Sequence, residues 1–259
     1  MTAIHRLLTA NGADFRLSTL RGRATLPRPF LERLEGLQPR ARLQRLRHPA
    51  AAGAFRRTQP VSQTYGWDRG TLIDRFFIER FLAEHQHDIR GVVVEVADRD
   101  YTTRYGRNVD RSEVLDIRPT NPNATIVTDL CDAQNVASTT FDCVLLTQTL
   151  QFIFDIRSAV AEVHRILRPG GVVLATFPGI QRVGRSHLNS DYWRLTFASA
   201  RALFEKDFGD DAVEVFAYGN LATSLAFLRG MALEEVPSRL YRVNDPFFAT
   251  TLAVRAERR

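Results

Sequence analysis

Three acids stand where apolar runs of the chain end. Glu95 lies near the close of Gly91 to Val96, Asp116 falls twenty-one residues later within Val114 to Ile117, and Asp129 follows Ala124 to Val127 in Thr128-Asp129-Leu130. A carboxylate accepts two hydroxyl hydrogen bonds at once, and the Glu95-to-Asp116 separation is one at which an acid meets the ribose hydroxyls of a bound nucleotide. An acid that merely caps a turn would show the same spacing. Asp129 can accept a hydrogen bond from an exocyclic amino group while Leu130 covers a flat ring. Thr147, Gln148 and Thr149 follow a fourth apolar run, Phe141 to Leu146, and Pro178-Gly179 follows a fifth, Gly171 to Phe177.

These five runs are short and continuously apolar, as parallel strands covered on both faces are. Between the last two, Ile156, Val160, Val163 and Leu167 are spaced four, three and four, which predicts a helix capped by Asp155 and stopped by Pro169, Gly170 and Gly171. Ile73, Phe77 and Phe81 put an aromatic stripe on an earlier helix, ending near His87, that should pack on the sheet. A helix over about 197 to 207 with Thr196 as N-cap, a strand at Val213 to Tyr218, a small helical insertion within 221–235 and a last strand at Thr250 to Ala256 complete the pattern. The expected fold is α/β, a doubly wound, mostly parallel seven-stranded sheet with helices on both faces. Ligands of such sheets bind outside the carboxyl ends of the strands.

The +6 formal charge is not spread evenly. Residues 1 to 60 carry twelve Arg against Asp14, Glu32 and Glu35, a balance of +9, so residues 61 to 259 carry −3. We therefore divide the chain into a basic extension, 1–60, with one or two short helices around Leu31 to Leu46, and a domain, 61–259. Arg runs are usually solvated faces, and this one is suited to docking on the slightly acidic domain, on a second copy in a homodimer, or on a partner enzyme. Nucleic-acid binding wants interleaved aromatics, and the extension offers Phe15, Phe30 and Phe55, so RNA ranks behind docking. No apolar run reaches the roughly 20 residues of a membrane span, and a cytoplasmic location is the expectation. Cys131 and Cys143 lack ligand-spaced partners and read as small core residues; no metal is expected.

Phe141-Asp142-Cys143-Val144-Leu145-Leu146, the helix end Ile166-Leu167-Arg168-Pro169-Gly170-Gly171 and the strand Val172 to Thr176 resemble the fourth-to-fifth-strand region of class I, Rossmann-like methyltransferases dependent on S-adenosylmethionine. The resemblance covers residues 90 to 180 and extends more loosely to about 255 through Asp191-Tyr192-Trp193-Arg194-Leu195-Thr196. Together with Trp67-Asp68-Arg69-Gly70-Thr71 and Gln148-Thr149-Leu150-Gln151-Phe152, it is similar to a subgroup often associated with glycosyltransferases. By position, the resemblance implies Glu95 near the methionine end of S-adenosylmethionine, Asp116 on the ribose, Asp129 and Leu130 on adenine, and Gln148 lining the pocket after strand four, with Ala97, Ile117 and Thr147 as further cofactor-binding residues.

One departure is visible. The family's first loop is glycine-rich, whereas here Ala97-Asp98-Arg99-Asp100-Tyr101-Thr102-Thr103-Arg104-Tyr105-Gly106 has no glycine before Gly106, which should strain Asp98 and Arg99. The same loss argues harder against a dinucleotide enzyme, whose pyrophosphate needs backbone N–H groups around it. The implied activity is methyl transfer to a small molecule, with a hydroxyl of a sugar-containing or other secondary metabolite as acceptor. Such a displacement needs positioning more than a base, although a hydroxyl benefits from proton removal. His187 and Asp191 are the candidate bases. Gln151, Tyr192 and Trp193 are candidate acceptor contacts, against a core-anchor reading for Trp193. Two other readings compete: a non-catalytic scaffold, whose crevice side chains such as Arg99, Tyr101 or Tyr105 would fill, and an RNA methyltransferase guided by the extension.

Overall fold

The computed structural model describes residues 58–259. The expected helices of the extension lie outside the described residues. Helix α1 (Ile73–Glu84) leads into strand β1 (Gly91–Val96), helix α2 (Asp100–Tyr105), β2 (Val109–Asp116), β3 (Ile126–Val127), β4 (Phe141–Thr147) and a single 3₁₀ turn (Leu150–Phe152). Helix α3 (Ile156–Ile166), β5 (Leu167–Pro178), α4 (Phe197–Phe208), β6 (Val213–Tyr218), α5 (Leu221–Leu228), α6 (Ser238–Tyr241) and β7 (Thr251–Glu257) follow.

The seven strands form one sheet in the order β3-β2-β1-β4-β5-β7-β6. The first five run parallel, and β7 is antiparallel to both neighbours, β5 and β6. The sheet is thus mixed at one edge. Alternate residues of the central strands feed two cores. Val94, Val144, Leu146, Val173 and Ala175 face α3 and α4, while Val93, Cys143, Leu145, Val172 and Leu174 face α1. The aromatic stripe does pack on the sheet: Ile73, Phe77 and Phe81 are fully buried, and Phe81 meets Phe216 of β6 at 5.7 Å between ring centroids. Cys143 is a core residue as expected, but Cys131 is only half-buried.

Local signals place the helix starts. Asp155 accepts from Ser158 N at 3.1 Å, and Thr196 accepts from Ser199 N at 3.2 Å. Among the differences from expectation, three have physical reasons. Strand β2 begins at Val109 rather than Val114, because its polar first half still pairs with β1 where the sheet is uncovered. Strand β5 begins at Leu167, which pairs with Phe141, and Gly170 at φ +78° lets Pro169-Gly170-Gly171 bulge within it. Asp100–Tyr105, read as loop, is the helix α2.

Candidate active site

The loop after β1 is built around Glu95. Its carboxylate is buried and accepts from Tyr101 N (3.2 Å), Thr102 N (2.8 Å) and Thr102 Oγ1 (2.8 Å). A short polar helix forms there because these otherwise orphaned amides find an acceptor from the strand. Burial, opposed by those hydrogen bonds, pushes the Glu95 carboxyl up to about 7. Glu95 therefore shapes the loop with its own oxygens. The strain expected at Asp98 and Arg99 falls instead on Ala97, which lies at φ +74°, while Arg99 lies at −124°. Ala97 takes the left-handed turn that a glycine would take freely, and its methyl is the smallest side chain that can do so.

Asp116, at the end of β2, is 4% exposed. Its Oδ1 accepts from Arg118 N (2.9 Å) and Nε (3.1 Å), and its Oδ2 accepts from the far guanidinium nitrogen of Arg118 (2.9 Å) and from Asn121 Nδ2 (2.6 Å). The guanidinium beside it lowers the Asp116 carboxyl to about 2. Asn121 Nδ2 also donates to Ala97 O at 2.7 Å, which ties the β2 loop to the strained turn. Next to Asp116, Ile117 is 63% exposed, whereas Leu130 is buried. Asp129 is exposed and accepts from Cys131 N at 2.9 Å. Arg118 and Asn121 were not singled out by spacing, because an arginine two residues past a strand has no sequence signature of its target.

At the end of β4, Thr147 is half-buried and Gln148 adopts φ +49°. Gln148 N donates to Thr176 O and Oγ1, both at 3.1 Å. The side chain of Gln151 folds back onto Gln148. The loop after β5 is sewn to this turn: Tyr192 N donates to Gln151 O (2.8 Å), and Trp193 Nε1 donates to Ile153 O (2.9 Å). Trp193 is partly buried against the core, as a core anchor would be, and exposed Tyr192 meets Phe154 edge to face at 5.3 Å.

The two candidate bases differ. His187 is exposed, with its ring 4.7 Å from Phe152. Asp191 is held by Arg194 in a two-pronged ion pair (2.5 and 2.8 Å), and Arg194 also donates to Arg182 O. Asp191 is thereby committed to fixing the loop. Tyr65, not foreseen, enters the same region. It lies at φ +62°, carries the Arg182 guanidinium 3.8 Å from its ring centroid, and sets its hydroxyl against Gly184. Asp74, in the first turn of α1, is also near Tyr65, and burial pushes its carboxyl up to about 6.

The motif Trp67 to Thr71 does other work. Arg69 is fully buried and paired with Glu235, and Thr71 Oγ1 donates to Glu234 at 2.7 Å. It clasps the segment before α1 to the turn at Leu233–Glu235. A cavity of about 740 Å³ opens at the opposite, amino ends of the strands, where Arg168 pairs with Asp142 and Arg255 with Asp88. It lies away from the crevice.

Adjacent parallel strands β2, β1 and β4 thus bring Asp116, Glu95 and Gln148 to the carboxyl edge where such sheets hold ligands in a crevice, and residues 89–175, which span them, match the family model described as a methyltransferase domain. Over these residues the chain carries a methyltransferase domain. No curated protein matches the sequence of this methyltransferase. Solved structures to which it is similar include a Haloferax volcanii methyltransferase in complex with the Trm112 activator (18% identity, TM-score 0.48, covering 72% of this chain and 93% of that one). A S-adenosylmethionine-dependent methyltransferase from Archaeoglobus fulgidus (12%, 0.48, 71% and 94%) and the [4+2]-cyclase SpnF (12%, 0.48, 84% and 93%) are also similar.

S-adenosylmethionine is the cofactor of this methyltransferase and supplies the electrophilic methyl carbon. The residues present fit it. Ala97 makes a tight turn with a side chain no larger than a methyl, Asp116 offers a carboxylate whose covering Arg118 side chain is largely in solvent, and Ile117 leaves an apolar surface open beside it. Of the side chains that would fill the crevice of a scaffold, Arg99 is exposed and Tyr101 packs beside Arg75 and Arg104. Tyr105 likewise lies under the Arg104 guanidinium.

Proposed function

We propose that the enzyme methylates a hydroxyl of a small, sugar-containing or related secondary metabolite. Asp116 would take the ribose hydroxyls, Ile117 and Leu130 would flank adenine with Asp129 at its amino group, and Ala97 and Thr147 would border the methionine end. Glu95 acts one step back, by holding the loop that Ala97 turns.

The observation that carries the acceptor reading is the wall beyond β4 and β5. Phe154, Tyr192 and Trp193 form one aromatic group, with Phe154 stacked on Trp193 at 6.2 Å, and Phe152 leads to the His187 ring. Aromatic faces suit the C–H surface of a sugar ring, and an imidazole at the edge suits removal of a hydroxyl proton. Asp191 contributes by holding Arg194, and hence the loop that carries His187. The likeness to the glycosyltransferase-associated subgroup supports the same substrate class.

The test is transfer of labelled methyl from S-adenosylmethionine to a panel of glycosylated metabolites and matched amines. Label in an ether, lost in the His187→Gln variant, is the expected result. Label found only in amines would overturn the hydroxyl assignment.

A further inference from the structure

Gln151 is buried, and its Nε2 donates to Gln148 O (2.9 Å) and to Gln148 Oε1 (3.2 Å). A main-chain carbonyl can only accept, so the Gln151 amide must turn its nitrogen toward Gln148 and its Oε1 away. Gln148 Oε1 takes the other bond, which leaves Gln148 Nε2 as the outward atom of that amide. These two outward atoms, Gln148 Nε2 and Gln151 Oε1, are buried and have no hydrogen-bond partner. One is a donor and the other an acceptor.

Buried polar atoms are nearly always paired, and a left-handed glutamine is uncommon. Both departures meet in one pair of side chains, and the surroundings hold them there. Thr176 fixes the main chain of Gln148, and Tyr192 fixes that of Gln151. An arrangement so constrained, with a donor and an acceptor left open, is what a recognition subsite looks like without its ligand.

We propose that Gln148 and Gln151 read the acceptor, selecting a neutral hydroxylated group that accepts from Gln148 Nε2 and donates to Gln151 Oε1. Hydroxyls suit both atoms, because a hydroxyl can accept as well as donate. A carboxylate cannot donate to Gln151 Oε1, and an ammonium cannot accept from Gln148 Nε2. The anchor of Gln148, Thr176, lies on β5, the neighbour of β4 on the side away from β1 and β2, and Gln151 is tied to Tyr192 of the loop after β5, so we assign the subsite to the acceptor rather than to the cofactor. This inference deepens the hydroxyl-acceptor reading above and rests on it.

The experiment follows the side-chain amide resonances of Gln148 and Gln151 in the ¹⁵N-labelled full chain. It adds S-adenosylhomocysteine first and then a panel of methyl glycosides, with tetrahydropyran as the same ring without hydroxyls. Both amides are expected to move with at least one glycoside and to stay still with tetrahydropyran. Gln151→Met should weaken that glycoside by about tenfold or more, because the hydroxyl loses its partner, while S-adenosylhomocysteine binds as before. Movement of both amides on S-adenosylhomocysteine alone, or no movement with any glycoside, overturns the proposal. Glycoside-induced movement in a chain that does not bind S-adenosylhomocysteine would instead keep the polyol subsite and defeat the methyltransfer reading beneath it. Should Gln151→Met unfold, Gln148→Glu, which removes the open donor, should weaken the same glycoside likewise.

Discussion

Arg118 lies across Asp116, with Nε 3.1 Å from Oδ1 and a terminal nitrogen 2.9 Å from Oδ2. The carboxylate that would hold the ribose is therefore satisfied by the chain itself, and the incoming hydroxyls must replace those bonds. Arg118 is 66% exposed in its side chain, so it can swing into water at small cost.

Removing this competitor should favour the cofactor. Arg118→Ala is expected to tighten S-adenosylhomocysteine by a few-fold, since a solvent-screened guanidinium holds its partner only weakly. Calorimetric titration measures it, and a large loss of affinity would mean that Arg118 contacts the cofactor directly.

Ala97 offers a backbone test. At φ +74° an alanine costs about 1–2 kcal/mol that glycine avoids, against roughly 0.4–1 kcal/mol for glycine's greater freedom when unfolded. Ala97→Gly should thus raise the melting temperature slightly and retain cofactor binding, whereas the branched Ala97→Val should lower both. A destabilised Ala97→Gly would show that the turn is not strained.

Glu95 sets a pH dependence. Its carboxyl is raised above the ordinary value of 4.5 to about 7 in the folded chain, so the native state holds the proton that the unfolded chain gives up. The associated stability is present below about pH 4.5 and is lost as pH rises through 7, a fall of roughly 3 kcal/mol. Asp74, raised to about 6, adds to the same slope over the lower part of this window. Denaturant titrations of wild type and Glu95→Gln between pH 5 and pH 8 should show a shallower decline in the variant. Parallel curves would mean that Glu95 is ionised throughout.

His187 and Asp191 should separate kinetically. His187→Gln is expected to lower kcat by about 10²–10⁴ if it removes the hydroxyl proton. Asp191→Asn, which releases Arg194 and the loop, should raise the acceptor KM more than it lowers kcat. Equal kcat losses in both would move the base to Asp191.

Much of this arrangement was legible where the determinant is local. The β4 and β6 runs, the Asp155 and Thr196 caps and the Ile73, Phe77, Phe81 stripe depend on neighbours within a turn or on periodicity. Helix α2 was not legible, because its start is fixed by Glu95 from the preceding strand. Arg118 on Asp116, Tyr65 under Arg182 and the Gln148–Gln151 pair were equally hidden, since each depends on where a side chain turns after its backbone is placed. The left-handed residue of the first loop was misplaced by a position or two, to Asp98 and Arg99 instead of Ala97. A missing glycine says that strain exists without saying which residue bears it.

The most direct measurement is calorimetric binding of S-adenosylhomocysteine to the full chain and to its Asp116→Ala variant. A crevice built as described binds the nucleoside in the wild type and loses about tenfold or more in the variant, the scale of discrimination lost with a polar partner. Binding that is equally tight in both would contradict the assignment of Asp116 to the ribose, and no binding in either would contradict the crevice as a cofactor site.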